Sequence, residues 1–132
     1  MKRTDFRILV AEDDPAAQRL YEKLFRAEGY EMVMASSGMH VLTELEAGKF
    51  DLLITDLKLA GMSAIEAMPK VREMCPTMPI VVVSGYYGNM VQEFHEKGFN
   101  VAFFNKPVSL TTLKMTVRKI LGIETAAEAK KN

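Results

Sequence analysis

Five short apolar runs, each followed by a stretch with helical spacing, constrain this chain more than any other feature. The runs are Phe6–Ala11, Tyr30–Ala35, DLLIT at 51–55, IVVV at 80–83 and VAFF at 101–104. Unbroken apolarity over so few residues marks parallel strands covered on both faces. The first intervening stretch puts Ala16, Leu20, Leu24 and Phe25 on one helical face. Asp14 reads as its N-cap, Pro15 opens its first turn and Gly29 stops it. A second helix, marked by Val41, Leu42 and Leu45, ends at Gly48. The third, over 63–75, turns Ile65, Met68, Val71 and Met74 inward, and Pro69 is expected to kink it or delay its regular part. The fourth, over 89–97, uses Val91 and Phe94 and stops at Gly98. The fifth, Leu110–Leu121, uses Leu110, Leu113, Val117 and Leu121. A (βα) unit repeated in this way predicts a doubly wound α/β sandwich of three layers. Right-handed crossovers favour a parallel five-stranded sheet in the order 2-1-3-4-5. The length of 132 residues suits one domain, over 1–122, with 123–132 as a helical extension or the start of a linker.

Charge narrows the function classes. Lys plus Arg equals Asp plus Glu, 17 each, so no broad basic surface is available for nucleic acid or an acidic membrane. No apolar run approaches a membrane span, and acids follow too closely on the N-terminus for a signal peptide. The one cysteine, Cys75, excludes an internal disulfide and reads as a packed small side chain. A cytoplasmic protein is expected. His40 and His95 fall within helical stretches, away from the strand ends, as surface or half-buried residues.

The polar residues worth following stand just after the runs. Glu12 and Asp13 follow the first, Asp56 the third, Ser84 closes the fourth, and Asn105-Lys106 follows the fifth. Singly, each has an ordinary reading: a strand-end acid, a turn cap, a solvated lysine. In the order 2-1-3-4-5 they become neighbours at the carboxyl edge of one sheet, where winding reverses and ligands bind. Acids brought together there repel unless a cation joins them. Oxygen donors without a Cys/His cluster suit a hard divalent ion, magnesium best, with manganese as the alternative. Lys106 adds a fixed positive charge, and the set is built to hold a dianion beside a metal.

The stretches ILVAEDDP, DLLITDLKLAGM, IVVVSG and FFNKP resemble the landmarks of the response regulator receiver domain of two-component phosphorelay systems. The likeness runs from residue 6 to about 121 and is nearest to chemotaxis-type single-domain regulators, which have a flavodoxin-like fold. It implies that Asp56 accepts a phosphoryl group from a sensor histidine kinase or histidine phosphotransfer protein. Glu12 and Asp13 match the acidic pair that holds magnesium, Asp13 as the direct ligand. Lys58 matches the position whose backbone carbonyl completes the metal shell. Ser84 and Lys106 match the hydroxyl and the lysine that meet the phosphoryl group, and Phe103 matches the aromatic switch. Lys106-Pro107 resembles a bond often cis in the family. The implied output is a changed surface on helix 4, strand 5 and helix 5. That surface is read by an unidentified effector or by a second copy when phosphorylated.

Some residues depart from the family pattern. Ala60 stands where proline is usual, Ser63-Ala64 replaces a common Asp-Gly, and Phe103 lacks the tyrosine hydroxyl. Lys58 and Tyr86 stand two residues after Asp56 and Ser84, where the family admits attacking water. They either shield the acyl phosphate from hydrolysis or point to solvent. Two rival functions fit the residues less well. An aspartyl phosphatase wants an acid two residues after its nucleophile, and Lys58 stands there instead. A degenerate receiver acting only as a scaffold conflicts with the full set of matching site residues. The expectation is a phosphoacceptor module that is not a turnover enzyme.

Overall fold

The computed structural model describes residues 5–59, 61–62, 64–85, 90–99 and 101–123, with only the backbone of Ala64, Ile65 and Met90. Strands β1 (Arg7–Ala11), β2 (Glu31–Ala35), β3 (Leu52–Thr55), β4 (Ile80–Ser84) and β5 (Val101–Asn105) form one parallel sheet in the order β2-β1-β3-β4-β5. They alternate with α1 (Pro15–Glu28), α2 (Gly38–Ala47), α3 (Ala64–Met74), α4 (Met90–Glu96) and α5 (Leu110–Ile120). The predicted doubly wound topology is therefore the observed one.

Apart from Arg7, Thr55 and Ser84 at their ends, the three strands β1, β3 and β4 are apolar because both of their faces are covered. Ile8, Val10, Leu52, Ile54, Val81 and Val83 meet Tyr21 and Phe25 of α1 and Leu113 and Val117 of α5. The alternate residues, Leu9, Leu53, Ile80 and Val82 among them, meet α2, α3 and α4 through Val41, Met68 and Phe94. Each such side chain, taken out of water, contributes about 1.5–3 kcal/mol before the entropy of ordering it.

Local chemistry sets the helix ends. The Asp14 carboxylate accepts from the N–H of Ala17 at 2.9 Å, with Pro15 opening the helix. Gly29 ends α1 at φ 87°, in the left-handed region that favours glycine. Pro69 lies exposed within α3, which continues past it to Met74.

Four expected inward residues are exposed instead: Ala16, Leu20, Val91 and Leu110. Leu20 is 53% exposed, Val91 41% and Leu110 44%. On α1 the stripe that meets the sheet is centred on Tyr21 and Phe25, one residue round from Leu20. The predicted ends of β1, β2, β3 and α5 each lie one residue too far out, as frayed ends do. Ile65, Ala60, Ser63 and the tail at 124–132 lie outside the described residues or side chains. Ile123 packs against the α1–α5 side of the core.

Arg72, near the C-terminus of α3, crosses between loops. Its guanidinium donates to the carbonyls of Phe99 (2.6 Å), Met78 (2.6 Å) and Cys75 (3.0 Å). It thereby joins α3, the loop before β4 and the loop before β5. On the opposite face Arg118 of α5 makes a two-pronged ion pair with Glu28 of α1, at 2.7 and 2.9 Å.

Candidate functional site

The ends of β1, β3 and β5 deliver Glu12, Asp56 and Lys106 to one point. The Lys106 ammonium donates to Asp56 Oδ2 at 2.6 Å and to Glu12 Oε1 at 3.0 Å. Residues 94 and 50 apart in sequence thus share a contact, because β1 and β3 are neighbours and the Lys106 side chain reaches them from β5 across the end of β4. The Glu12 side chain is 2% exposed and that of Asp56 13%. Two carboxylates so placed repel one another, and the ammonium between them offsets that repulsion. Burial works against the charge on Lys106. The hydrogen bonds and charges of Asp56 and Glu12 outweigh it, holding the group above the ordinary lysine range.

Backbone amides complete the acidic edge. The N–H of Lys58 donates to Asp56 Oδ1 at 3.2 Å, and Lys58 itself is exposed. Asp13 is exposed beside Glu12. Ser84 is buried at the end of β4, pairs in register with Asn105, and its carbonyl accepts from the N–H of Lys106 at 2.9 Å. The Lys106-Pro107 bond is cis. Phe103 is half-buried on β5 and packs against Phe94 of α4, ring centroids 5.7 Å apart. Phe94 in turn meets Phe99 edge-on at 5.4 Å. Tyr86 lies outside the described residues. Among the described residues, no three His, Cys, Asp or Glu side chains are gathered into a ready-made metal shell.

Sequence reasoning missed two neighbours. Gln18 Nε2 donates to the Glu12 carbonyl at 2.6 Å, tying the end of β1 to the second turn of α1. Tyr21 stands behind the site, and burial, then the charge of Glu12, pushes its hydroxyl up to about 12. A cavity of about 440 Å³ opens between α1 and the start of α5. Leu20, Tyr21, Val108 and Leu110 wall it, with Glu12 and Lys106 at its polar end. The outward Leu20 and Leu110 are therefore rims of this cavity. A tyrosine in a helix carries no signal that it will face a strand end; only the docking of α1 reveals it.

Comparison with known proteins agrees with this arrangement. The family model for the response regulator receiver domain matches residues 8–118. The transcriptional regulatory protein ZraR of Escherichia coli (strain K12) is 26% identical over 121 residues, covering 92% of this chain and 27% of ZraR. The chain thus spans about a quarter of the length of that relative. A CheY-like response regulator receiver domain protein from Methanospirillum hungatei JF-1 superposes with a TM-score of 0.82. It shares 27% identity, over 96% of this chain and 98% of the other. The receiver domain of sensor histidine kinase PA1611 from Pseudomonas aeruginosa PAO1, with magnesium coordinated in its active-site cleft, has a TM-score of 0.75. At 21% identity, over 89% of this chain and 98% of that one, it shares the fold. With the family model covering β1 through most of α5, this chain belongs to the response regulator receiver domains, the phosphoacceptor modules of two-component signalling.

Proposed function

We propose that Asp56 is the phosphoacceptor and that a histidine kinase or histidine phosphotransfer protein is the donor. The observation that carries this reading is the Lys106 ammonium, 2.6 Å from Asp56 Oδ2 at the carboxyl edge of the sheet. One Asp56 oxygen attacks phosphorus and forms the P–O bond of an acyl phosphate. The P–N bond to the donor imidazole breaks, and its electron pair leaves with the ring nitrogen, which takes up a proton. Lys106 supplies a compact positive charge for the phosphoryl oxygens.

The donor set fits magnesium. Asp13, Asp56 and the Lys58 backbone carbonyl would offer hard oxygen donors, the kind magnesium prefers, with Glu12 as the second acid of the pair. These residues would hold the ion, or manganese in its place. When bound, it supplies charge neutralisation for the transferred phosphoryl group. Each event modifies the domain itself, so the module is its own substrate and not a turnover enzyme.

The readout runs through Ser84 and Phe103. The Ser84 hydroxyl bonds the new phosphoryl group, and Phe103 repacks against α4. The α4–β5–α5 surface changes with it. An effector, or a second copy of the chain, reads that surface in the cytoplasm. Lys58 and Tyr86 slow hydrolysis by covering the acyl phosphate, and the receiver unit is 1–122, with 123–132 as a helical extension or the start of a linker.

Incubation with magnesium and acetyl phosphate tests the acceptor. Intact mass rises by one phosphoryl group in the wild type and is unchanged in Asp56→Asn. Labelling of the Asp56→Asn variant to the same extent refutes the assignment.

A further inference from the structure

Three acids follow one another at the end of β1, and a single residue holds the backbone on both sides of the middle one. Gln18, half-buried in α1, donates through its side-chain Nε2 to the carbonyl of Glu12 at 2.6 Å. Its backbone N–H donates to the carbonyl of Asp14 at 2.9 Å. Those two carbonyls flank Asp13, so Gln18 spans the loop that carries it. The rest of the loop is bonded to itself and to β2. The Glu12 N–H donates to the Ala35 carbonyl at 3.0 Å. Glu12 Oε2 accepts from the N–H groups of Asp13 and Asp14 at 3.0 and 3.2 Å. The Asp14 carboxylate accepts from the N–H of Ala17 at 2.9 Å. Two of the three acids thus commit an oxygen to nearby backbone, and Asp13 stands exposed between them.

We propose that Gln18 is a positioning residue for Asp13, its side-chain amide holding the β1–α1 loop in the shape that presents this carboxylate to magnesium. This rests on the reading of Asp13 as the magnesium ligand beside the acceptor Asp56. The backbone grip on Asp14 comes with any helix that starts here, since each N–H bonds the carbonyl four residues back. The side-chain grip on Glu12 does not; it needs a donor of this length at this position. Without it, the peptide joining Glu12 to Asp13 gains freedom, and ordering that peptide falls to metal binding. Magnesium is exacting in this respect. It demands near-octahedral geometry at short distance and sheds water reluctantly, so a displaced carboxylate weakens it sharply. Calcium takes more oxygens at longer and less regular distances, and it tolerates the same displacement. Gln18 therefore favours magnesium over calcium without being a ligand itself.

Gln18→Met tests the idea, because methionine matches glutamine in length and helix propensity but has no donor. The backbone grip on Asp14 is left in place. In ¹⁵N-labelled, metal-free protein, the Asp13 amide order parameter should fall below the rigid value of about 0.85. In titrations followed by amide shifts, magnesium affinity should weaken about fivefold or more, and calcium affinity by less than about twofold. Labelling by acetyl phosphate should need correspondingly more magnesium to reach half its maximal rate. At saturating magnesium the rate should return to within about twofold of the wild type. Magnesium affinity equal to the wild type overturns the proposal. So does an equal loss for the two ions, or a labelling rate that stays low at saturation. Should Gln18→Met fail to fold, Gln18→Ala, which also lacks the amide, decides in its place. Failure of the underlying reading looks different: Asp13→Asn then binds magnesium like the wild type, or Asp56→Asn labels like it, whatever Gln18 does.

Discussion

The Glu28–Arg118 pair offers a sharp test of how the two helices on one face are held. Arg118 Nε and Nη2 donate to the two carboxylate oxygens of Glu28 at 2.7 and 2.9 Å. The side chains are 9% and 17% exposed, so solvent screens the pair only in part. Exposed ion pairs contribute about 0–1 kcal/mol, whereas removing one partner of a buried pair costs about 3–5 kcal/mol. This geometry lies between the two, and Glu28→Gln should destabilise the domain by about 2–3 kcal/mol. For a chain of this length that corresponds to a fall in Tm of roughly 6–12 °C. Urea unfolding of Glu28→Gln, Arg118→Met and the double variant gives the coupling energy directly. The double variant should recover part of the loss, because it leaves no stranded charge. The reasoning fails if Glu28→Gln changes stability by under about 0.5 kcal/mol, or if the single losses simply add.

Other outcomes follow from the site and its surroundings. The Tyr21 hydroxyl keeps its proton more tightly when folded, at about 12 against 10.0. Its contribution is thus complete below pH 10 and lost as pH rises from 10 to 12. The loss amounts to about 2–3 kcal/mol, and it should be absent from alkaline unfolding curves of Tyr21→Phe. The acyl phosphate should decay faster in a Lys58→Asn, Tyr86→Ala double variant, followed by intact mass; equal decay removes the shielding role. Phosphorylated protein should sediment as a dimer and Asp56→Asn as a monomer, if the α4–β5–α5 face pairs copies; monomers in both discard that reading. Phe94→Ala removes the ring on which Phe103 rests and a fully buried aromatic, costing about 3–5 kcal/mol in thermal unfolding.

The sheet was legible because a strand covered on both faces must be apolar along its middle, and β1, β3 and β4 are so between the polar ends Arg7, Thr55 and Ser84. The helices were legible as helices but less so in orientation. Periodicity finds a stripe, yet Leu20 and Tyr21 are adjacent, and docking alone decides that the tyrosine goes in and the leucine stays at a cavity rim. The gathering of Glu12, Asp56 and Lys106 followed from strand order, since β1, β3 and β5 end on the same edge of one sheet with only β4 between the last two. What strand order could not give is side-chain direction. Glu12 turns to Lys106 and its own backbone, and Gln18 reaches back to β1. Those choices depend on rotamers set by neighbours distant in sequence.

The guanidinium of Arg72 has a mechanical consequence for α4. By gripping the carbonyl of Phe99, it tethers the chain just beyond the helix's last turn to the base of α3. A rod fastened at one end pivots and does not slide. Any displacement of α4 that begins near the acceptor should therefore reach the protein's surface as a tilt, largest at Met90 and smallest at Phe99.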